Sequence, residues 1–197
     1  MEKDSTELLQ PIMPRTLYII AGPDGSCTRL VTRMFIKAGC YGQAPGPGND
    51  SRGAVKWKLQ EVLDGLNTIR AVAHDAKKLA IRVGTTHKSS NQCPPYRAYR
   101  TAFANECKIF WVILVRRPCR YNYSYHFDRG TRFYPPVFSL IHEHNDDFCI
   151  LDTSLMFKDP ENVLYELGQC TGLDFSGFDE PIYDADKKWE EKNIKLA

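Results

Sequence analysis

The chain has 197 residues, of which 43% are hydrophobic and 25% charged, enough for one α/β domain and too few for two independent cores. This composition excludes a disordered, collagen-like or coiled-coil protein. The net charge of +2 conceals two portions of opposite sign. Residues 1–133 carry 21 Lys/Arg and 10 Asp/Glu, a net +11, whereas residues 134–197 carry 5 and 14, a net −9. The basic portion indicates an anionic ligand, and the absence of a long Lys/Arg run argues against a nucleic-acid partner.

The cysteines and the N-terminal segment indicate a cellular compartment. Seven cysteines are scattered without a Cys-x-x-Cys pair, which disfavours a zinc site and favours a reducing environment. The first residues are acidic and interrupted by Pro11 and Pro14, unlike a signal peptide. No apolar run approaches the ~20 residues of a membrane-spanning helix. We therefore expect a cytoplasmic protein without a membrane partner, and the sequence leaves its oligomeric state open.

Four short and nearly continuous apolar runs predict strands that are covered on both faces, as in a parallel sheet. The predicted strands are residues 16–21, 79–83, 109–115 and 148–151. Helical spacing of apolar residues occurs at 28–38, 54–78, 95–107, 118–127 and 159–170. This alternation predicts one three-layer α/β/α domain with a central, mostly parallel sheet. We expect a single domain over 1–197, with an N-terminal extension at 1–15 and an acidic C-terminal tail at 174–197.

The loop between the first strand and the first helix, residues 22–29, has the sequence GPDGSCTR. In open α/β sheets, ligands bind at the carboxyl ends of strands, where the N–H groups of the next helix favour an anion. Small residues and hydroxyl groups in this loop suit a backbone that wraps a phosphate-like group, although a glycine-containing turn without a ligand has the same appearance. A nucleotide-hydrolysing P-loop requires Gly-Lys-Ser/Thr where this chain has Cys27, Thr28 and Arg29. The missing lysine and Mg²⁺-binding hydroxyl disfavour ordinary ATP or GTP hydrolysis.

Two other strand ends carry side chains that suit the same site. Arg116 directly follows the strand 109–115, and Ser124 lies eight residues later, so the two are placed to bind one phosphate. His87 follows the strand 79–83, where a general base would reach a substrate. Taken singly, each segment also fits a surface basic cluster or a loop histidine without a role.

Together these segments resemble the family of PAPS-dependent sulfotransferases, where PAPS is 3′-phosphoadenosine 5′-phosphosulfate. The first loop of that family, G-x-P-[RK]-S-G-T-[TS]-L, is in register with residues 22–30. Its second motif, R-[DN]-P-x-[DE]-x-x-x-S, is similar to residues 116–124 at Arg, Pro and Ser. Its K-T-H turn is similar to Thr86-His87, and its C-terminal strand and helix are similar to residues 148–173. The resemblance spans residues 16–173.

The resemblance implies a P-loop NTPase-like sulfotransferase fold and an enzyme that transfers a sulfuryl group from PAPS to an acceptor hydroxyl or amine. His87 is then the general base, PAP is the product, and no metal is required. The short loops of the chain leave little material for a large acceptor site, so we expect the acceptor to be a small molecule or an exposed group on a polymer or protein. The cofactor-binding residues implied are Gly22, Asp24, Gly25, Ser26, Cys27, Thr28, Arg29, Arg116 and Ser124.

The chain departs from this family at several positions. Gly25 stands where the family has a basic residue that stabilises the bridging oxygen, Cys27 replaces the last loop glycine, and Thr153 stands near the position of a tyrosine. The residues available to replace the missing cation are Arg29, Arg33, Arg82 and Lys88. Without such a replacement, the chain is a non-catalytic relative that binds PAP. A P-loop nucleotide or nucleoside kinase is the third alternative.

Two further clusters have competing interpretations. His142-Glu143-His144 resembles a metal-binding run, but the acidic residues that follow favour the end of a solvated helix. An aromatic series over residues 121–134 either lines a pocket for adenine or an apolar acceptor, or fills the core.

Overall fold

The computed structural model describes residues 15–23, 26–42, 77–84, 96–115 and 123–179, with only the backbone described at 83–84, 99 and 123–132. The predicted helix 54–78 lies outside the described residues up to position 76, and Lys78 at its predicted end instead begins a strand. The segments 1–14 and 180–197 of the two predicted extensions lie outside them as well.

Four parallel strands form one sheet in the order β2–β1–β3–β4. The strands are β1 (Arg15–Gly22), β2 (Lys78–Gly84), β3 (Cys107–Val115) and β4 (Asp147–Asp152). Each lies within two residues of its predicted bounds, so the predicted parallel sheet is confirmed. The first strand is central and pairs with β2 on one side and β3 on the other.

In chain order, a helix follows each of the four strands. They are α1 (Thr28–Lys37), α2 (Tyr96–Phe103), α3 (Tyr123–His144) and α4 (Pro160–Thr171), and a short 3₁₀ turn covers Leu155–Phe157. The last helix begins as its sequence predicts, because the Asp159 side chain accepts a hydrogen bond from the Asn162 N–H at 3.3 Å and Pro160 occupies the first turn. It ends at Gly172, which adopts a left-handed conformation.

The predicted helix 118–127 corresponds to α3. Its predicted end at residue 127 is wrong, because α3 continues to His144. Two successive prolines, Pro135 and Pro136, are the usual signal for a helix end, and both are exposed in this helix. An apolar stripe at helical spacing continues past them into the core. It consists of Phe133, Val137, Leu140 and Ile141, all buried. Burial of this stripe outweighs the hydrogen bonds that the prolines remove from the helix.

The sheet is covered on both faces, which confirms the three-layer architecture. On one face, the strand residues Leu17 and Ile19 pack against α2 and α3. On the other face, their neighbours Tyr18 and Ile20 pack against α1 and α4. The strands β1, β2 and β3 therefore alternate between two separate cores, as expected for a buried parallel sheet. The edge strand β4 contributes Cys149 and Leu151 to one core, whereas Phe148 and Ile150 on its other face are exposed, so this strand is not covered on both faces as its sequence predicts.

The first residues of the predicted tail pack onto α1. Phe175 is buried with its ring centroid 5.2 Å from that of Phe35. Lys37 forms an ion pair with Asp179 and lies 5.7 Å from the centroid of the Phe178 ring. Among the described residues, no helix is long and apolar enough to cross a lipid bilayer.

Candidate functional site

The carboxyl ends of β2, β1 and β3 lie side by side at one edge of the sheet. Gly22 at the end of β1 pairs with Gly84 at the end of β2, and Ala21 pairs with Ile113, two residues before the end of β3. The three segments that the sequence assigns to ligand binding begin immediately after these strand ends. The fold therefore brings the starts of those segments to one edge.

The strand order also identifies where along this edge a ligand belongs. The chain passes from β1 to β2 on one side and later to β3 and β4 on the other, so the direction of winding reverses between β1 and β3. In open α/β sheets, ligands bind in the crevice at such a reversal. The loop after β1 and the segment after β3 flank it.

Gly22 allows the first loop to fold back over the end of its own strand. A Cβ atom at residue 22 would overlap the Ser26 hydroxyl and would lie 2.9 Å from the Cβ of Leu114 on β3. Ser26 is fully buried, and both its backbone N–H and its hydroxyl donate to the Pro23 carbonyl, at 3.0 and 2.6 Å. In this conformation the Ser26 hydroxyl stabilises the loop itself.

Cys27 explains how the loop enters α1. It has a φ of 63° and a ψ of 22°, a left-handed conformation that favours glycine. This is the position where the sulfotransferase loop that the sequence resembles has its last glycine, and a residue other than glycine is strained in this conformation. The Cys27 carbonyl accepts the first helical hydrogen bond, from the Val31 N–H at 3.1 Å.

The first turn of α1 presents N–H groups without a side-chain cap. Cys27 provides no capping hydrogen bond, and the first turn contains no acidic residue. By helix geometry, the first N–H groups of an α-helix do not bond to carbonyls of a preceding turn. Such groups favour an anion. The side chain of Thr28 is half-buried and that of Arg29 is exposed.

Of the remaining predicted site residues, Ser124 lies in a described helix and four lie outside the described residues. Ser124 lies in the first turn of α3, in the helix that the sequence predicted for it, although its side chain is outside the description. Asp24, Gly25, His87 and Arg116 lie outside the described residues. Their assignment as site residues stays a prediction.

The end of β3 is held by two hydroxyl groups to which the sequence assigned no such role. The Val115 carbonyl accepts hydrogen bonds from both the N–H and the hydroxyl of Thr153, at 2.8 and 3.1 Å. The Leu114 carbonyl accepts one from the Tyr134 hydroxyl at 3.1 Å. Thr153 is fully buried, and a polar residue directly after a buried strand was the available signal for it.

Tyr134 belongs to the aromatic series for which the sequence left two interpretations. Its neighbour Phe133 is fully buried in the core, whereas Tyr134 is half-buried and lies beside the crevice. Burial, and then the charge of Asp152, raise the pKa of the Tyr134 hydroxyl to about 12. The hydroxyl therefore remains protonated and able to donate throughout the neutral pH range.

Of the basic residues that could replace the missing loop cation, Arg82 lies on the β2 strand beside the loop. Its neighbour Ala80 faces the α1 side of the sheet, whereas Leu79 and Ile81 face the opposite side. Alternation along the strand therefore puts Arg82 on the α1 side, where it is half-buried two residues before the carboxyl end. Arg33 is half-buried one turn farther along α1, and Lys88 lies outside the described residues.

The His142-Glu143-His144 run is the end of α3, as the helix interpretation predicted. Glu143 accepts two hydrogen bonds from Arg97, one of 2.7 Å from Nη1 and one of 2.5 Å from Nη2. Within the described ranges, no group of three His, Cys, Asp or Glu side chains could hold a metal ion.

A depression of about 230 Å³ lies at the opposite, amino edge of the sheet. The charged side chains that line this depression form ion pairs with one another. Arg100 and Asp146 form two hydrogen bonds of 2.8 and 2.9 Å, and Lys108 pairs with Asp147 at 2.5 Å. These pairs stabilise the starts of β3 and β4, and the depression is not the candidate site.

Comparison with known proteins does not assign the chain to a family. No family model matches the sequence, and no curated protein matches it. Among solved structures, an unliganded sugar kinase from Janibacter sp. HTCC2649 has a TM-score of 0.42 and 12% identity, covering 85% of this chain and 100% of that chain. A TM-score and an identity this low leave the assignment of function to the residues of the site.

Proposed function

We propose that the protein binds PAPS at the crevice between β1 and β3 and transfers its sulfuryl group to an acceptor hydroxyl or amine. The observation that carries this proposal is the strand order β2–β1–β3 at the carboxyl edge. It places the start of the proposed phosphosulfate loop in the middle, the start of the segment with Arg116 on one side and the start of the segment with His87 on the other.

This arrangement suits the two ends of the donor. Adjacent strands are ~4.8 Å apart, so segments that follow β3 and β2 start on opposite sides of the loop, about 10 Å from each other. The 3′-phosphate would be held on the β3 side by Arg116 and Ser124. The acceptor and its base, His87, would approach the sulfur from the β2 side. Donor and acceptor thus come from opposite sides, as in-line transfer requires.

The chemistry of the step follows from these roles. His87 would remove the proton of the acceptor, whose oxygen or nitrogen forms a bond to sulfur. The bond between sulfur and the bridging oxygen breaks, and PAP leaves with that oxygen. Because a sulfuryl group carries only one negative charge, backbone N–H groups and a cation can stabilise the transition state without Mg²⁺.

One alternative has a specific observation in its favour. A non-catalytic relative that binds PAP is consistent with Gly25 in place of the basic loop residue and with the Ser26 hydroxyl being used within the loop. A nucleotide or nucleoside kinase fits less well, because the loop lacks the lysine and the Mg²⁺-binding hydroxyl.

Isothermal titration calorimetry of the purified chain with PAPS, PAP and Mg²⁺–ATP tests the proposal. We expect micromolar binding of PAP and PAPS and weaker binding of adenosine 5′-phosphosulfate, which lacks the 3′-phosphate. Absence of PAP and PAPS binding at tens of micromolar would contradict the proposal. Binding without transfer to a panel of phenols, alcohols and amines would establish the non-catalytic alternative, and phosphoryl transfer from Mg²⁺–ATP would establish the kinase.

A further inference from the structure

At the end of β3, the backbone hydrogen bonds go alternately to its two neighbouring strands, β4 and β1. In a parallel ladder, successive residues of a central strand bond to the strands on opposite sides. The Val115 carbonyl bonds to the Thr153 N–H at 2.8 Å, just beyond the end of β4. The carbonyl of the preceding residue, Leu114, therefore faces β1.

The ladder donor that Leu114 would need does not exist. Ala21 pairs with Ile113, so in the same register Gly22 lies beside Leu114, and the N–H that would bond to the Leu114 carbonyl is that of residue 23. Residue 23 is proline, which has no N–H. Pairing between β1 and β3 therefore ends here because of a single residue.

The Tyr134 hydroxyl takes the place of this missing donor. It bonds to the Leu114 carbonyl at 3.1 Å and comes from α3, on the face of the sheet opposite to α1. Pro23 is buried, and an unsatisfied carbonyl beside it would be costly. The Tyr134 ring is fixed by contacts with Phe133 and Phe138, at centroid distances of 5.0 and 6.4 Å.

We propose that Pro23 and Tyr134 are positioning residues that keep the crevice between β1 and β3 open for the donor nucleotide. The proline stops the ladder, and the tyrosine satisfies the carbonyl that is left, so the two strands separate at the point of winding reversal. The chain after Pro23 leads into α1, whose first turn has no side-chain cap. This inference rests on the proposed function, because it assigns both residues to the binding of PAPS and PAP.

Substitutions at Pro23 and Tyr134 distinguish an effect on PAP affinity from an effect on the stability of the fold. Pro23→Ala supplies the missing N–H, extends the ladder by one bond and narrows the crevice. We expect at least a tenfold loss of PAP affinity in calorimetry with a melting temperature that is unchanged or higher. Tyr134→Phe removes the substitute donor, so both the melting temperature and the affinity fall. In the double variant, the new N–H satisfies Leu114, and we expect recovery of the melting temperature without recovery of affinity.

Two control variants carry the same types of substitution, proline to alanine and tyrosine to phenylalanine, at other positions. Pro136→Ala replaces an exposed proline of α3, and Tyr165→Phe replaces an exposed tyrosine of α4. Both should bind PAP like the unmodified chain. Hydrogen exchange at the amide of residue 23 in Pro23→Ala gives an independent readout, because a ladder bond protects it.

The outcomes distinguish this inference from the proposed function. If the unmodified chain binds PAP and Pro23→Ala binds it equally well, the inference is wrong and the proposed function stands. A double variant as unstable as Tyr134→Phe would also overturn it, since the new N–H would then not replace the hydroxyl. If the unmodified chain binds neither PAP nor PAPS, both the proposed function and the role assigned to the crevice are overturned.

Discussion

Gly22 lies so close to Leu114 that a Cβ atom at residue 22 would be 2.9 Å from the Leu114 Cβ and 3.3 Å from its carbonyl oxygen. The end of β1 and the end of β3 are therefore in contact. Residue 22 must be a glycine because there is no space for a Cβ atom, and not because the backbone adopts a conformation that favours glycine.

Gly22→Ala should therefore disturb both the fold and the site. We expect the free energy of unfolding to fall by about 1–3 kcal/mol, the usual effect of overpacking, and PAP binding to be lost. Gly177→Ala is the matched control, because no atom lies within 4 Å of a Cβ at that position. Urea denaturation of the two variants makes the comparison, and equal stabilities would show that residue 22 has room for a side chain.

Cys27→Gly should stabilise the protein. A left-handed conformation costs a residue other than glycine about 1–2 kcal/mol, and the greater chain entropy of unfolded glycine offsets about 0.5–1 kcal/mol of that. We expect a net gain of about 0.5 kcal/mol in the free energy of unfolding. Asn145 also has a positive φ, of 52°, but asparagine tolerates this region, so Asn145→Gly should bring no gain. A Cys27→Gly variant that unfolds at a lower urea concentration than the unmodified chain would contradict this account.

Much of the fold could be predicted from the sequence, because a run such as 109–115 is hydrophobic at every position and is therefore buried on both faces. The strand order could not, since it depends on packing between segments far apart in the chain. The length of α3 was hidden by Pro135 and Pro136, whose local effect opposes the apolar stripe around them. The role of Tyr134 was hidden too, because the lack of a donor for Leu114 becomes visible only when the register against Pro23 is known.

Stability should fall in alkaline solution as Tyr18 ionises. Burial, and then the charge of Cys40, raise the pKa of Tyr18 from 10.0 to about 12 in the folded protein, and its hydroxyl donates to the Thr171 carbonyl at 2.8 Å. The unfolded chain releases this proton first, so the contribution is complete below pH 10 and is lost between about pH 10 and 12. The slope from one such group is at most about 1.4 kcal/mol per pH unit.

Urea denaturation at a series of pH values measures this loss. Tyr18→Phe should have a shallower decline of unfolding free energy above pH 10, whereas Tyr165→Phe should not, because Tyr165 is 66% exposed. The remaining decline in Tyr18→Phe belongs to other buried groups, including Tyr134 and the thiol of Cys149, whose pKa burial raises to about 12. Identical slopes in the two variants would show that Tyr18 ionises as readily in the fold as in the unfolded chain.

Arg82 is expected to supply the positive charge that the first loop lacks. The loop itself carries no Lys or Arg between Gly22 and Thr28, yet the phosphosulfate that it is proposed to hold is anionic. Arg82 is half-buried on the α1 side of β2, close to the carboxyl edge. A partly desolvated guanidinium interacts with an anion more strongly than an exposed one, such as that of Arg29, because water screens it less.

Arg82→Met should therefore weaken PAP binding by about 10- to 100-fold, equivalent to about 1.4–2.8 kcal/mol, while Arg82→Lys keeps part of the affinity through its charge. Arg97→Met is the control, because Arg97 is exposed on α2 and pairs with Glu143. Calorimetry at two salt concentrations should give a smaller salt dependence for Arg82→Met than for the control, since one fewer charge meets the ligand. Equal PAP affinities in Arg82→Met and Arg97→Met, with both proteins folded by circular dichroism, would exclude Arg82 and leave Arg29, Arg33 and Lys88 as the remaining sources of that charge.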